Sequence, residues 1–336
     1  MLLANPAGAL AQGQATTIVF TGPTMGTRYT VRVATLPLDD DGREAIRAAI
    51  DEVLELTNRL LSTWDPESEI SRLNRHPASE PFALSAETVT LLEIAGRVGE
   101  LSGGAFDVTV GPLVDAWGFG PAGLPAKPPS PEALAELRAR VVPDRLLLAS
   151  DRTSVTKARA DVWCDLSALA PGWAADRIAA AIEALGHHDL IVDIGGEVVA
   201  RGRRADGTLW RVAVESPGRD REHLLVLALA DMAVATSGDY RNAYIDEAGR
   251  RRSHLIDPRT GEPVAHELTS VTVVHKEAVW ADALATAFLV MGPEPAWRFA
   301  TRERLAIRLV ARVEGGTYSA ATTPEFEALV WAGPEE

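Results

Sequence analysis

The stretch Leu190–Ile191–Val192–Asp193–Ile194–Gly195–Gly196–Glu197 decides the fold class. Its apolar run reads as a strand buried on both faces, and a helical segment from about Gly172 to Leu185 leads into it. A dinucleotide-binding βαβ unit would carry Gly-x-Gly-x-x-Gly at this point. Here two adjacent glycines are followed by Glu197, so a Rossmann fold is not licensed.

Working outward, Ile18–Val19–Phe20 precede a turn at Thr21–Gly22–Pro23, after which Tyr29, Val31 and Val33 alternate with polar neighbours. Gly42 to Leu61 is an amphipathic helix with Ile46, Ile50, Val53, Leu54, Leu60 and Leu61 on its apolar stripe. Ser85 caps a second helix that stops at Gly103–Gly104. Gly118 to Ser130 is a surface loop, and Ser130–Pro131 opens another helix. In the second half, Trp210, Val212 and Val214 alternate, Leu224 to Leu229 and Val271 to His275 read as strands, and Glu277 to Met291 is helical. Ile307 to Val313 with Gly315–Gly316 suggests a closing hairpin. Helices and strands intermix without regular βαβ alternation and without a repeat, which predicts an α+β fold of mixed, mainly antiparallel sheets flanked by helices.

At roughly 150 residues per domain, 336 residues give about two domains or one large one. Lys and Arg total 33 against 47 Asp and Glu, a net charge of −14, which repels a phosphate backbone and makes nucleic acid a poor partner unless one local patch reverses the sign. The single cysteine, Cys164, excludes an internal disulfide and any cysteine-built zinc or iron–sulfur site. No stretch reaches the roughly 18 apolar residues of a membrane span. Leu2–Leu3–Ala4 and Ala7–Gly8–Ala9–Leu10–Ala11–Gln12 read like the end of a signal peptide with an Ala-x-Ala cleavage site, although the first basic residue is Arg28. Residues 1–15 are therefore read as a leader and residues 16–336 as the functional domain.

Four polar segments resist explanation as core or surface filler. Ser62 to Asn74 places one aromatic, Trp64, among turn formers; it is either a core anchor or a plate for a planar ligand. Asp165 to Gly172 is a turn of small residues opening a helix, where a ligand can approach the backbone and an anion can meet free N–H groups. Ala235 to Tyr240 and Ser253 to Gly261 bring hydroxyls, His254, Asp257 and Arg259, able to position phosphate and move a proton. An Asp-Pro-x-Thr-Gly turn explains Asp257, Pro258 and Gly261 but leaves His254 and Arg259 without a purpose. Lastly, Asp282 and Thr286 stand at i and i+4 of the predicted helix, either a polar stripe or hard oxygen ligands suited to Mg²⁺ and wrong for zinc.

Met25–Gly26–Thr27–x–Tyr29, Ser62 to Asn74, Gly104 to Leu113, Trp117–Gly118–Phe119–Gly120, Asp165 to Asp176, Gly195–Gly196–Glu197, Thr236–Ser237–Gly238, His254 to Gly261 and Ala281 to Thr286 occur in that order. The series resembles the FAD:protein FMN transferase (ApbE-like) family over roughly residues 18 to 315. The resemblance implies an ApbE-type fold in two lobes with the flavin and metal site between them. It implies Mg²⁺-dependent cleavage of FAD, transfer of FMN to a Thr or Ser hydroxyl of a target protein, and release of AMP.

Carried over residue by residue, the metal ligands are Asp282, Thr286 and the main-chain carbonyl of Ala170. Trp64 stacks on the isoalloxazine, and Met25, Tyr29, Asn74, Asp107, Gly195, Gly196, Glu197, Thr236, Ser237, Gly238 and Arg259 match other FAD-binding positions. His254 matches the base that deprotonates the incoming hydroxyl, with Asp257 beside it. The chain departs from the family in Pro171, where Lys is common, and in Trp64, where Tyr is frequent; Arg177 or Arg259 are the available replacements for the lost charge. A FAD pyrophosphatase giving FMN and AMP, or a non-catalytic FAD-binding protein, are the rival readings. The family's acceptors are exported or membrane-associated flavoprotein subunits, which matches an exported, periplasmic protein.

Overall fold

The computed structural model describes residues 14–120, 123, 128–141, 145–215, 225–239, 243–247 and 249–333. Most of the leader, Leu224, Tyr240 and part of the Gly118–Ser130 loop lie outside the described residues. Strands β1 (Thr16–Thr24) and β2 (Thr27–Thr35) precede α1 (Asp40–Leu61), α2 (Glu69–Arg75), β3 (Pro81–Ala83) and α3 (Ala86–Leu101). Then come α4 (Gly111–Ala116), α5 (Pro131–Arg138), β4 (Leu146–Leu148), β5 (Ser154–Lys157) and α6 (Ala170–Ala184). Strands β6 (Leu190–Ile194), β7 (Glu197–Arg201), β8 (Trp210–Val214), β9 (Leu225–Leu229) and β10 (Met232–Gly238) follow. Four short strands, β11 (Ala243–Ile245), β12 (Arg251–Ser253), β13 (Ile256–Asp257) and β14 (Glu262–Pro263), lead to β15 (Leu268–His275) and α7 (Ala278–Met291). The chain closes with α8 (Pro293–Glu303), β16 (Ala306–Arg312), β17 (Tyr318–Thr322) and α9 (Pro324–Glu327).

The expected α+β architecture is observed. One eight-stranded sheet runs in the order β1-β2-β6-β7-β10-β15-β16-β17, and every neighbouring pair in it is antiparallel. LIVDI is β6, and Gly195–Gly196 is the two-residue turn of the β6–β7 hairpin, with Ile194 opposite Glu197.

Strand alternation assigns the sheet's two faces. Leu190, Val192, Ile194 and Val199 pack beneath α1 and α6, while Ala235, Val271 and Val273 pack beneath α7 and its neighbours. On the other face, Ile191, Val198, Ala200, Val234 and Val274 are covered by the β8–β9 hairpin and Phe326. Burial on both faces explains why β6 and β15 lack the alternation of exposed polar residues that a half-exposed strand shows.

The first turn falls later than Thr21–Gly22–Pro23. Strand β1 continues through those residues, and the hairpin turns at Met25–Gly26, with Thr24 paired to Thr27. Pro23 is tolerated because β1 is the sheet's outer strand, where a missing N–H breaks no ladder. Helix α6 begins two residues ahead of the expected Gly172, with Pro171 in its first turn. The caps at Ser85 and Ser130 form as expected, accepting from the N–H groups of Thr88 and Ala133.

Candidate functional site

Helices α6 and α7 meet at their N-terminal ends, and glycine makes the approach feasible. A Cβ on Gly172 would fall 2.6 Å from the carbonyl oxygen of Ala278 and 2.9 Å from Asp282 Cβ. The Gly172 N–H donates to Asp282 Oδ2 at 3.1 Å. One turn further along α6, Asp176 accepts the N–H groups of Ala278 and Val279, each at 2.9 Å, and so caps a helix whose own N-cap residue, Glu277, makes no side-chain capping bond.

Asp282 is only 6% exposed. Burial holds its carboxyl well above the usual carboxylate range, and the charges of Glu197 and Asp176 push it the same way against the Gly172 N–H. Burial also pushes Asp176 up to about 6, opposed by its two backbone donors. One helical turn beyond Asp282, Thr286 places its hydroxyl 3.0 Å from Ser237 Oγ at the end of β10. Asp282, Thr286 and Ser237 thus form an oxygen-rich line between α7 and the sheet. Thr236, on the next position of the strand, points through the opposite face and bonds Thr272 at 3.0 Å, so it is not brought to this line. Gly238 ends β10 opposite Ser270.

Two hairpin tips lie beside these helices. Met25 and Gly26 both have positive φ, 44° and 72°, as do Gly195 and Gly196, 66° and 115°. That is the conformation a two-residue hairpin turn with the strands' natural twist demands, and in a methionine it carries strain. The tips adjoin because β2 pairs with β6, and the Gly195 N–H donates to the Arg28 carbonyl at 3.2 Å. Tyr29 is a core residue, 4% exposed, with its ring lying against Gly22.

Trp64 is 74% exposed. Its loop is tied down locally. Ser62 Oγ accepts the N–H groups of Trp64 and Asp65 at 3.2 and 3.1 Å, and the Ser62 carbonyl accepts Ser68 Oγ at 2.6 Å and Ser71 Oγ at 3.0 Å. The knot leaves the indole outside the core, which excludes the reading of Trp64 as a core anchor. The ring stands between two adjoining cavities. One, of about 520 Å³, is lined by Met25, Gly26, Ala170 and Pro171 among others. The second, of about 710 Å³, is lined by Phe119, Trp163, Asp165 and Ser167 among others.

Other anticipated residues have local partners. Asn74 clasps Cys164 with both ends of its amide, Nδ2 donating to the Cys164 carbonyl at 2.8 Å and Oδ1 accepting its N–H at 2.7 Å. Asp107 Oδ1 accepts the N–H and hydroxyl of Thr109, each at 2.8 Å, in a turn beside a separate cavity under α3. Asp257 is gripped by Arg259 through two bonds of 2.9 and 2.8 Å, which gives the arginine the purpose the turn alone did not supply. His254 meets Phe119 edge-to-face with ring centroids 6.2 Å apart, placing it behind the wall of the larger cavity.

Trp163 and Asp176 carry no individual role in the sequence pattern, although Asp176 ends the Asp165 to Asp176 motif. A lone tryptophan beside the only cysteine gave no periodic signal. Asp176 was recognisable as the carboxylate lying one turn after Gly172 on the alanine-rich run Ala170 to Ala184. Among the described residues, no three His, Cys, Asp or Glu side chains form a metal cluster. An ion here would draw on the Asp282 carboxylate, the Thr286 hydroxyl and main-chain oxygen instead.

The ApbE family profile matches residues 25–309, from the strained hairpin tip to β16. The chain is 39% identical over 296 residues to the FAD:protein FMN transferase of Vibrio cholerae, covering 88% of this chain and 87% of that protein. It is 38% identical to the Haemophilus influenzae protein of the same name, over 92% and 90% of the two chains. The solved flavin transferase ApbE from Vibrio cholerae superposes with a TM-score of 0.85 over 94% of this chain and 99% of that one, at 36% identity. The apo flavinyl transferase ApbE of Pseudomonas stutzeri gives 0.86 over 96% and 99%, also at 36% identity. Matches of this extent take in the hairpin tips, the Trp64 loop and the α6–α7 junction together, and the chain belongs to the ApbE family.

Proposed function

We propose that the protein is an FAD:protein FMN transferase that joins the FMN phosphate of FAD to a Thr or Ser hydroxyl of a target protein and releases AMP. The observation that carries this reading is the buried carboxylate of Asp282, set one helical turn from Thr286 and next to the Ala170–Pro171 wall of the Trp64 cavity. The charges of Glu197 and Asp176 weigh on Asp282 there, and Glu277 weighs on Asp176; backbone N–H groups and the charge of Arg201 act the other way. A divalent cation fits that need, and the donors are all oxygen, which favours Mg²⁺.

Asp282, Thr286 and the Ala170 carbonyl would hold the ion. When bound, Mg²⁺ supplies polarisation of the phosphoryl oxygens and neutralises charge on the departing AMP. The chain's own residues do the rest. Trp64 offers a free aromatic face to the isoalloxazine, and the Met25–Gly26 tip and Pro171 wall the space beside it. His254 takes the proton of the acceptor hydroxyl as the new phosphoester bond forms and the pyrophosphate P–O bond breaks towards AMP. Arg259 holds Asp257 in place beside that segment. Because it is so engaged, and Arg177 is exposed on the second turn of α6, neither is a ready replacement for a lysine at Pro171.

Acceptors are proposed to be exported or membrane-associated flavoprotein subunits, and the leader-like N-terminus supports a periplasmic location. Incubation with FAD, Mg²⁺ and a flavin-accepting domain tests the reading. A mass gain of one FMN on the acceptor supports transfer, free FMN with AMP would mean hydrolysis, and intact bound FAD would mean a carrier.

A further inference from the structure

Lys157, the last residue of β5, is 1% exposed and is among the largest fully buried side chains of the described residues. Its ammonium is met by main-chain carbonyls, donating to Asn74 at 2.7 Å, Ala160 at 3.0 Å and Val162 at 3.5 Å. Burial pulls its pKa down, and the charge of Asp161 only partly opposes this. Stability alone does not favour an ammonium at such a place, since an apolar side chain of equal volume avoids the desolvation.

The three carbonyls lie on two segments that support different walls of the ligand space. Asn74 lies near the end of α2, whose N-terminal serines Ser68 and Ser71 fasten the Ser62 carbonyl and with it the Trp64 loop. Ala160 and Val162 lie on the segment that delivers Trp163 to the wall of the larger cavity. The Asn74 amide then clasps Cys164, the residue after Trp163. The two walls therefore share one polar joint with Lys157 at its centre.

The geometry points to Lys157 as a positioning residue that sets the gap between the Trp64 loop and the Trp163 wall, and through it the affinity for the aromatic dinucleotide. This rests on the flavin-transfer reading for the identity of the ligand. The ammonium touches neither the acid centre at Asp282 nor His254, so it governs binding and leaves the chemical step alone.

Lys157→Ala leaves a carbonyl-lined hole with the size and charge preference of n-propylammonium. In this variant the Kd for FAD, read from quenching of flavin fluorescence, should rise at least about tenfold, the loss expected of a charge-assisted hydrogen bond. The rate of FMN transfer at saturating FAD should stay within about twofold of the unaltered chain. Added n-propylammonium should restore FAD affinity, and neutral 1-propanol should not. Equal rescue by both would assign the effect to lost volume and overturn the proposal, as would an unchanged Kd in a folded variant. Should Lys157→Ala fail to fold, Lys157→Met keeps the volume without the charge; it should show the same weakened binding, and FAD affinity equal to the unaltered chain would overturn the proposal. The unaltered chain measured alongside separates the two readings: if it binds no FAD, the flavin reading fails and takes this one with it.

Discussion

The Gly172 N–H and the Asp282 carboxylate are joined across 3.1 Å, with no room for a side chain between their helices. The same contact fixes the spacing of α6 and α7 and the aim of the one buried acid on α7. Gly172→Ala would press a methyl carbon to 2.6 Å from the Ala278 carbonyl, against backbone that cannot swing aside. Overpacking of this kind costs about 1–3 kcal/mol. The expected result is a lower Tm together with a loss of FMN transfer larger than the stability loss explains. A variant with the original Tm and full activity would show that the junction tolerates separation.

The acid centre makes stability depend on pH. Asp176, at about 6, and Asp282, also raised, hold protons more tightly folded than unfolded. Their contribution is complete below the ordinary carboxylate range and is lost as pH rises through the folded values. Without divalent cation, Tm should therefore fall as pH rises from about 4 through the Asp176 value of about 6, and the raised Asp282 carboxyl adds to the fall in the same direction. Asp282→Asn keeps an oxygen for the Gly172 N–H and removes one charge, so the fall should be shallower and Tm near neutral pH higher. Mg²⁺ should raise the Tm of the unaltered chain and not that of the variant. An equal Mg²⁺ response in both would remove Asp282 from the metal site.

Trp64 should act on binding alone. Its ring is mostly exposed, and its loop is held by Ser62, Ser68 and Ser71 rather than by the indole. Trp64→Ala should leave Tm unchanged and weaken FAD by about 0.5–1.5 kcal/mol, the worth of one aromatic stack. Trp64→Tyr should restore most of it. Titration of flavin fluorescence checks both, and identical affinities for the Ala variant and the unaltered chain would move the isoalloxazine elsewhere.

Much of this site was legible in the chain because its parts are local. Asp282 and Thr286 are one turn apart on a helix whose bounds the apolar pattern marks, and Gly195–Gly196 lies directly after an unmistakable strand. What stayed hidden depends on pairing between distant segments. Nothing local in the sequence shows that Asn74 holds Cys164, 90 residues away, with both ends of its amide. Thr236 and Ser237 read alike in sequence, yet the pleat sends one to Thr272 and the other to Thr286. Pro23 read as a turn because nothing local says that β1 is an outer strand. Lys157 carried no signal at all, since its partners are backbone atoms.

His254 is the residue whose loss should separate binding from chemistry. It lies against Phe119, behind the wall of the larger cavity and apart from the Trp64 loop, so FAD affinity should survive His254→Ala. A hydroxyl acceptor without a base transfers its proton poorly, and the rate of FMN transfer should drop by about 10²–10⁴. The part of the pH dependence that the base contributes should vanish as well. Asp257→Asn offers the complementary measurement: it loosens Arg259, which now forms two bonds to that carboxylate, and should slow transfer less than loss of the imidazole itself. Mass spectrometry of the acceptor after timed incubation reads both rates. A His254→Ala protein that flavinylates its acceptor at the original rate across pH would assign proton removal to another group.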